Sequence, residues 1–249
     1  MTLEFSARTL LGNWYEQRVA ENDTLQHGTD MHMESTMSSF ISSVAEANGA
    51  ISNDGQLTHG DAVIIKSCSE KYPNSFLSVN NADPLNFVSK QYYVNASMNS
   101  KVDKRGVFVL EKVDNLDVEL CYGDLFRLRL ASDIFPEPMY LHSATKSFNL
   151  QTLVSQKQVL YLAPIDHQRS LFTFTHIDPS FREDYVGTPV QPNEGCLFYH
   201  HFTGQCVSIH NTPLQNIYGL DYEIVVETQK NYATKQPTDV CVWKMVDGL

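Results

Sequence analysis

Gly60-Asp61-Ala62-Val63-Ile64-Ile65, Gly123-Asp124-Leu125-Phe126-Arg127-Leu128 and Gly195-Cys196-Leu197-Phe198-Tyr199-His200 are three glycine-led apolar runs in a chain of 249 residues. Each opens a series of four. A second short run follows at Ser75–Val79, Met139–Ser143 and Gln205–Ile209, and a third at Gln91–Val94, Val159–Leu162 and Tyr222–Val226. The fourth is strongly apolar: Val107–Leu110, Leu171–Phe174 and Val240–Trp243. Short apolar or alternating runs broken by Gly, Pro, Asn and Asp are the texture of an all-β chain. From each opening glycine to Leu110, Phe174 and Trp243 the intervals are 50, 51 and 48 residues, a spacing that marks an internal repeat. Three units of four strands, closed so that no sheet edge stays open, predict a β-trefoil over residues 51–249, with repeats at about 51–118, 119–190 and 191–249. A two-sheet sandwich is the competing architecture and requires no threefold pattern.

Residues 1–50 differ in texture, being rich in Ser, Thr, Met and acids. They are expected to form an N-terminal arm. Met33, Met37, Phe40, Ile41 and Val44 fall on one helical face, with Thr29 or Asp30 as cap and Asn48-Gly49 as stop. The serines among them are weak helix formers, so the stripe needs a surface to dock on, either its own domain or a partner. Between units two and three, Asp178-Pro179-Ser180-Phe181-Arg182-Glu183-Asp184-Tyr185 reads as a helical turn with Asp178 as cap and Pro179 at its first position.

The net charge of −11, from 29 acidic and 18 basic residues, argues against nucleic acid, which calls for a basic face. No apolar run reaches the roughly 18 residues of a membrane span, and the first residues lack a signal-peptide layout, so a cytosolic location is expected. The five cysteines are an odd, scattered set, read as reduced thiols. The sequons at Asn22 and Asn95 are then unused.

Cys196, His200, His201, Cys206 and His210 supply a two-Cys, two-His zinc set on paper. With Phe202-Thr203-Gly204 as a hairpin turn, Cys196 would face His210 and His200 would face Cys206. The two pairs would lie about 13 Å apart at ~3.3 Å rise per residue, too far to share one ion. Strand packing is expected instead, with no metal and no cofactor. His142 and Ser143 are adjacent in a strand and point to opposite faces, so the imidazole cannot activate the hydroxyl. Arg127 and Arg129 alternate with leucines as a polar strand face. No phosphate loop and no acid pair at glycosidase spacing is present, and an enzyme is not expected. The Gln-x-Trp signature of sugar-binding trefoils is missing, although a glycan- or ligand-binding trefoil module stays as the alternative.

Several segments together resemble one family. Leu11-Gly12-Asn13-Trp14 with Glu16, Asp54-Gly55, His59-Gly60-Asp61, Tyr122-Gly123-Asp124 and Met139-Tyr140-Leu141 occur in its order. Asp178-Pro179-x-x-Arg182-x-x-Tyr185-x-Gly187-x-Pro189-Val190, Tyr218-x-x-x-x-Glu223 and Trp243-x-x-Val246-x-Gly248 continue it. The chain is similar here to the cilia- and flagella-associated protein 161 family, and Tyr140-Leu141-His142-Ser143 also resembles the repeat of MIR-type trefoils. The resemblance implies a structural microtubule inner protein of the motile axoneme, bound in the lumen of the doublet A-tubule to α/β-tubulin and neighbouring inner proteins. Its acidity means that attachment to acidic tubulin requires apolar anchors and local charge pairs. Leu11, Trp14 and Tyr15 in the arm, with Arg182 and Tyr185 in the connector, are the partner-binding residues this reading selects.

Overall fold

The computed structural model describes residues 41–52, 55–86, 88–113, 118–165 and 168–248. It is all-β with little helix. Twelve strands appear among the described residues, each on a run expected from the sequence: β1 (Ala62–Ser67), β2 (Phe76–Asn86), β3 (Gln91–Ser97), β4 (Val107–Lys112), β5 (Phe126–Leu130), β6 (Tyr140–Ser143), β7 (Leu160–Ala163), β8 (Phe172–Thr175), β9 (Cys196–His200), β10 (Gln205–Asn216), β11 (Gly219–Val226) and β12 (Val242–Val246).

The first and fourth strands of each unit close a ring. β1 pairs with β4, β4 with β5, β5 with β8, β8 with β9, β9 with β12 and β12 with β1, every pairing antiparallel. A closed antiparallel barrel leaves no edge in that ring to recruit another chain. The second and third strands form the hairpins β2–β3, β6–β7 and β10–β11. Their third strands meet, since β3 pairs with both β7 and β11.

The repeat also shows in the loops that lead into the barrel. Leu57 N–H donates to the Val190 carbonyl (3.0 Å), Leu120 N–H to Leu57 (2.8 Å) and Val190 N–H to Leu120 (2.8 Å). These three buried residues, each lying just ahead of one of the three opening glycines, thus complete a circle of backbone hydrogen bonds. Such a circle satisfies buried backbone groups that no strand ladder reaches.

Alternation decides what fills the barrel. Leu110, Phe174 and Trp243 are all buried in one core, with Phe126, Phe172 and Phe198 beside them. The Phe126 and Phe174 rings lie 4.4 Å apart and those of Phe172 and Phe198 4.9 Å apart. Trp243 donates its indole N–H to the Val207 carbonyl at 2.8 Å, so even this large side chain is satisfied where it is buried.

The packed unit begins at Ser43 rather than at residue 51. Lys104 N–H donates to Ala45 O (3.0 Å), Ala47 N–H to Val102 O (3.1 Å) and Gly49 N–H to Asp247 O (2.9 Å), while Ala50 and Ala62 exchange bonds of 2.7 and 3.0 Å. Residues 45–50 are therefore a strap on the barrel wall. A Cβ at Gly49 would meet the Ala62 carbonyl oxygen at 2.5 Å, so only glycine lets the strap lie this close. Of the predicted helical stripe, Ile41 and Val44 are described, and both are exposed; Met33, Met37 and Phe40 lie outside the described residues.

Candidate functional site

The connector between β8 and β9 holds the candidate site. Asp178 is extended and its carboxylate accepts the Ser180 N–H at 2.8 Å, which caps the 3-10 turn Pro179–Phe181. That hydrogen bond, first among its causes, holds the Asp178 carboxyl below the usual carboxylate range. A single α-turn, Arg182–Tyr185, follows. Arg182 folds back on the chain leaving β8, donating from Nε to His176 O at 3.0 Å and from Nη2 to Ile177 O at 3.3 Å.

Tyr185 fixes the other end. Its ring stacks on His176 with centroids 4.2 Å apart and meets Tyr122 edge-on at 5.8 Å. Its carbonyl accepts both the N–H (2.9 Å) and the hydroxyl (2.7 Å) of Thr188. Gly187, at φ +81°, donates to Tyr122 O at 3.0 Å. Short though it is, the connector is thus held to the barrel at each end. Four apolar side chains stand among what it shows outward, since Ile177, Phe181, Tyr185 and Val186 are all exposed, alongside Glu183 and Asp184.

Of the residues selected from sequence, Arg182 and Tyr185 sit on this one turn. Leu11, Trp14 and Tyr15 lie outside the described residues. Arg182 points its donors at its own chain, which gives it a positioning part the sequence did not suggest. Ile177, Phe181 and Val186 were missed. They are single apolar residues among polar ones, and only the folded turn shows that each of them is exposed, as Tyr185 is.

The Cys/His set is dispersed by a register different from the one expected. His200 pairs with Gln205 and Tyr199 with Cys206, one residue away from the predicted alignment. The cause is a four-residue turn, 201–204, in which Gly204 takes φ +62° and donates to His200 O at 2.9 Å. On its β12 side, Cys196 pairs with Trp243. Buried His200 has both ring nitrogens occupied, Nδ1 by Thr203 Oγ1 (2.9 Å) and Nε2 by Arg169 O (3.1 Å). A carbonyl accepts only, so Nε2 carries the proton and Nδ1 accepts from the hydroxyl. Burial pushes the Cys196 and Cys206 thiols well above their ordinary range, which leaves them as packing groups rather than nucleophiles. His210 Nδ1 lies 2.7 Å from Thr212 Oγ1, a local contact. Buried His142 and Ser143 are each tied to backbone carbonyls, of Tyr140 (2.7 Å) and Val159 (2.8 Å). Arg129 pairs with Glu111 at 2.6 Å and Arg127 donates to Ser170 Oγ at 3.2 Å, so the polar strand face is internally bonded.

The connector and the whole third unit fall within a stretch recognised in other proteins. Residues 157–248 match the Cilia- and flagella-associated protein 161-like domain. The resemblance read from the sequence is upheld. The chain is 27% identical over 129 residues to cilia- and flagella-associated protein 161 of Mus musculus, covering 51% of this chain and 42% of the mouse protein. It is 25% identical over 250 residues to the protein of the same name in Danio rerio, covering 90% of this chain and 82% of that one. In that first match the chain therefore spans less than half the length of its relative. Among solved structures, the SDF2-like protein from Arabidopsis thaliana has the same overall fold at 14% identity, with a TM-score of 0.56 over 78% of this chain and 96% of that chain.

Proposed function

We propose that this chain is a structural protein of motile cilia and flagella with no catalytic role. In this reading it is a microtubule inner protein, held in the lumen of the doublet A-tubule against α/β-tubulin and neighbouring inner proteins. We read its barrel as a MIR-like β-trefoil; the six-strand ring, the three hairpins and the circle of Leu57, Leu120 and Val190 support that reading. Ciliary association is supported by the likeness to cilia- and flagella-associated protein 161 in two vertebrates.

The single observation that carries an attachment role is the connector: a turn bonded to the barrel at both ends that presents four apolar side chains outward. A preordered apolar surface binds at little conformational cost. Repeated along a lattice, several such weak contacts add up to stable retention. The second reading, a ligand-binding module, has one feature in its favour, a cleft between hairpins lined by Asn80, Asn95, Glu223 and Leu153.

Extraction separates the two. After detergent and high-salt washing of axonemes, a lumenal brace stays with the doublets, and the double variant Phe181→Ser/Tyr185→Ser is released while retaining its folded spectrum. Complete release of the unaltered protein in the salt wash would overturn the assignment.

A further inference from the structure

A second surface adjoins the connector, and its chemistry is opposite to that of the chain as a whole. A broad concavity is lined by Pro179, Arg182, Tyr199, Gln205, Glu227, Lys230 and Lys235, with Thr228, Thr234 and Pro237 around them. Its charged lining is three cations to one anion, in a protein of net charge −11. The one anion is already neutralised, because Glu227 Oε2 is bound to Lys157 Nζ at 2.5 Å. No carboxylate within salt-bridge distance of Arg182, Lys230 or Lys235 is found among the described residues; Lys235 lies over the Tyr232 ring at 5.9 Å. Tyr232 itself is almost fully exposed, as are most of Phe202 and half of Phe181.

Positive charge gathered in a concavity of an acidic protein has a local potential that selects anions, while the surrounding field excludes indiscriminate binding of large polyanions. Hydrogen-bonding groups on Gln205, Thr228 and Thr234 suit carboxylates, and the Tyr199 ring in the lining suits a flexible chain more than a rigid duplex. We propose that this concavity is a docking site for an acidic protein segment, a run of Glu or Asp residues in extended conformation. This goes beyond the axonemal reading and does not depend on it, because it concerns the chemistry of the partner rather than its place in the cell.

The test uses the full chain and a fluorescent ten-residue polyglutamate peptide, with anisotropy read at 50 and 300 mM salt. Binding is expected at low salt and at least tenfold weaker at high salt, since exposed charges are screened within ~10 Å at ~0.1 M salt. Lys230→Glu/Lys235→Glu should abolish binding. Lys71→Glu/Lys146→Glu changes net charge equally at exposed lysines outside the concavity and should leave binding within about twofold. Equal loss in both double variants would overturn the site. A DNA duplex of matched charge binding as tightly as the peptide would overturn the choice of an acidic protein segment, and so would no binding at low salt. Circular dichroism of each variant shows that the barrel is intact, and Lys230→Gln/Lys235→Gln supplies the same test if the charge-reversed pair fails to fold.

Discussion

At the scale of single residues, two buried titratable groups report on how the barrel is held. Burial, the largest cause, lowers His200 to a pKa of about 4 from the ordinary 6.5. The unfolded chain therefore takes up a proton near pH 6.5, which the folded chain refuses until about pH 4. Stability contributed by the neutral ring is present above pH 6.5 and lost as pH falls toward 4, to the extent of roughly 3 kcal/mol. In urea unfolding at pH 7.0 and 4.5, His200→Gln should show a smaller drop between the two than the unaltered chain; equal drops would contradict the burial argument. Asp61 behaves in the acid sense. Burial would raise its carboxyl, but bonds from Ser52 N–H (2.9 Å), Ser52 Oγ (2.6 Å) and Thr58 N–H (2.7 Å) outweigh it and hold the pKa low. Its contribution is thus present above the usual carboxylate range and is lost as pH falls below it. Asp61→Asn should cost about 1–2 kcal/mol at neutral pH and less below pH 3. A variant as stable as the parent at pH 7 would show that the Ser52 and Thr58 bonds contribute nothing.

At the scale of elements, the three opening glycines look alike in sequence and differ in cause. Gly60 and Gly123 adopt φ of +96° and +91°, and each donates to the carbonyl that closes its own unit, Leu110 at 2.8 Å and Phe174 at 3.1 Å. The following aspartates, Asp61 and Asp124, each cap the N–H three residues back, on Thr58 and Cys121. Gly195 has no such turn; a Cβ there would press on Val242 Cγ1 and Ile177 Cδ1 at 3.0 and 3.1 Å. Gly60→Ala and Gly123→Ala should each cost about 1–3 kcal/mol through backbone strain alone. Gly55→Ala, with nothing within 4 Å, should change stability by less than about 0.5 kcal/mol. Thermal unfolding ranks the three, and a ranking with Gly55→Ala lowest would refute the turn analysis.

The whole molecule shows which parts of its architecture could be read in advance. All twelve strands were legible because apolar alternation is a local signal, and the even spacing of Leu110, Phe174 and Trp243 carried the repeat. Hairpin register was not legible at 200–206, since it depends on whether Gly204 closes a three- or a four-residue turn. Residues 45–50 were assigned to the arm because their composition is arm-like; their hydrogen bonds to Val102, Lys104 and Asp247 are long-range and leave no mark in sequence. Likewise the connector was found from its Asp-Pro cap, while the exposure of Ile177, Phe181 and Val186 depends on how the turn packs against His176 and Tyr122 and leaves no mark in sequence.

The proposed place of this chain is inside the doublet. Cryo-electron microscopy of doublet microtubules from cells with and without this protein tests it most directly. Without the protein, a barrel-sized density should vanish from the A-tubule lumen at regular axial intervals, with the outer surface unchanged. An unaltered lumen, or density lost only from the outer surface, would contradict it.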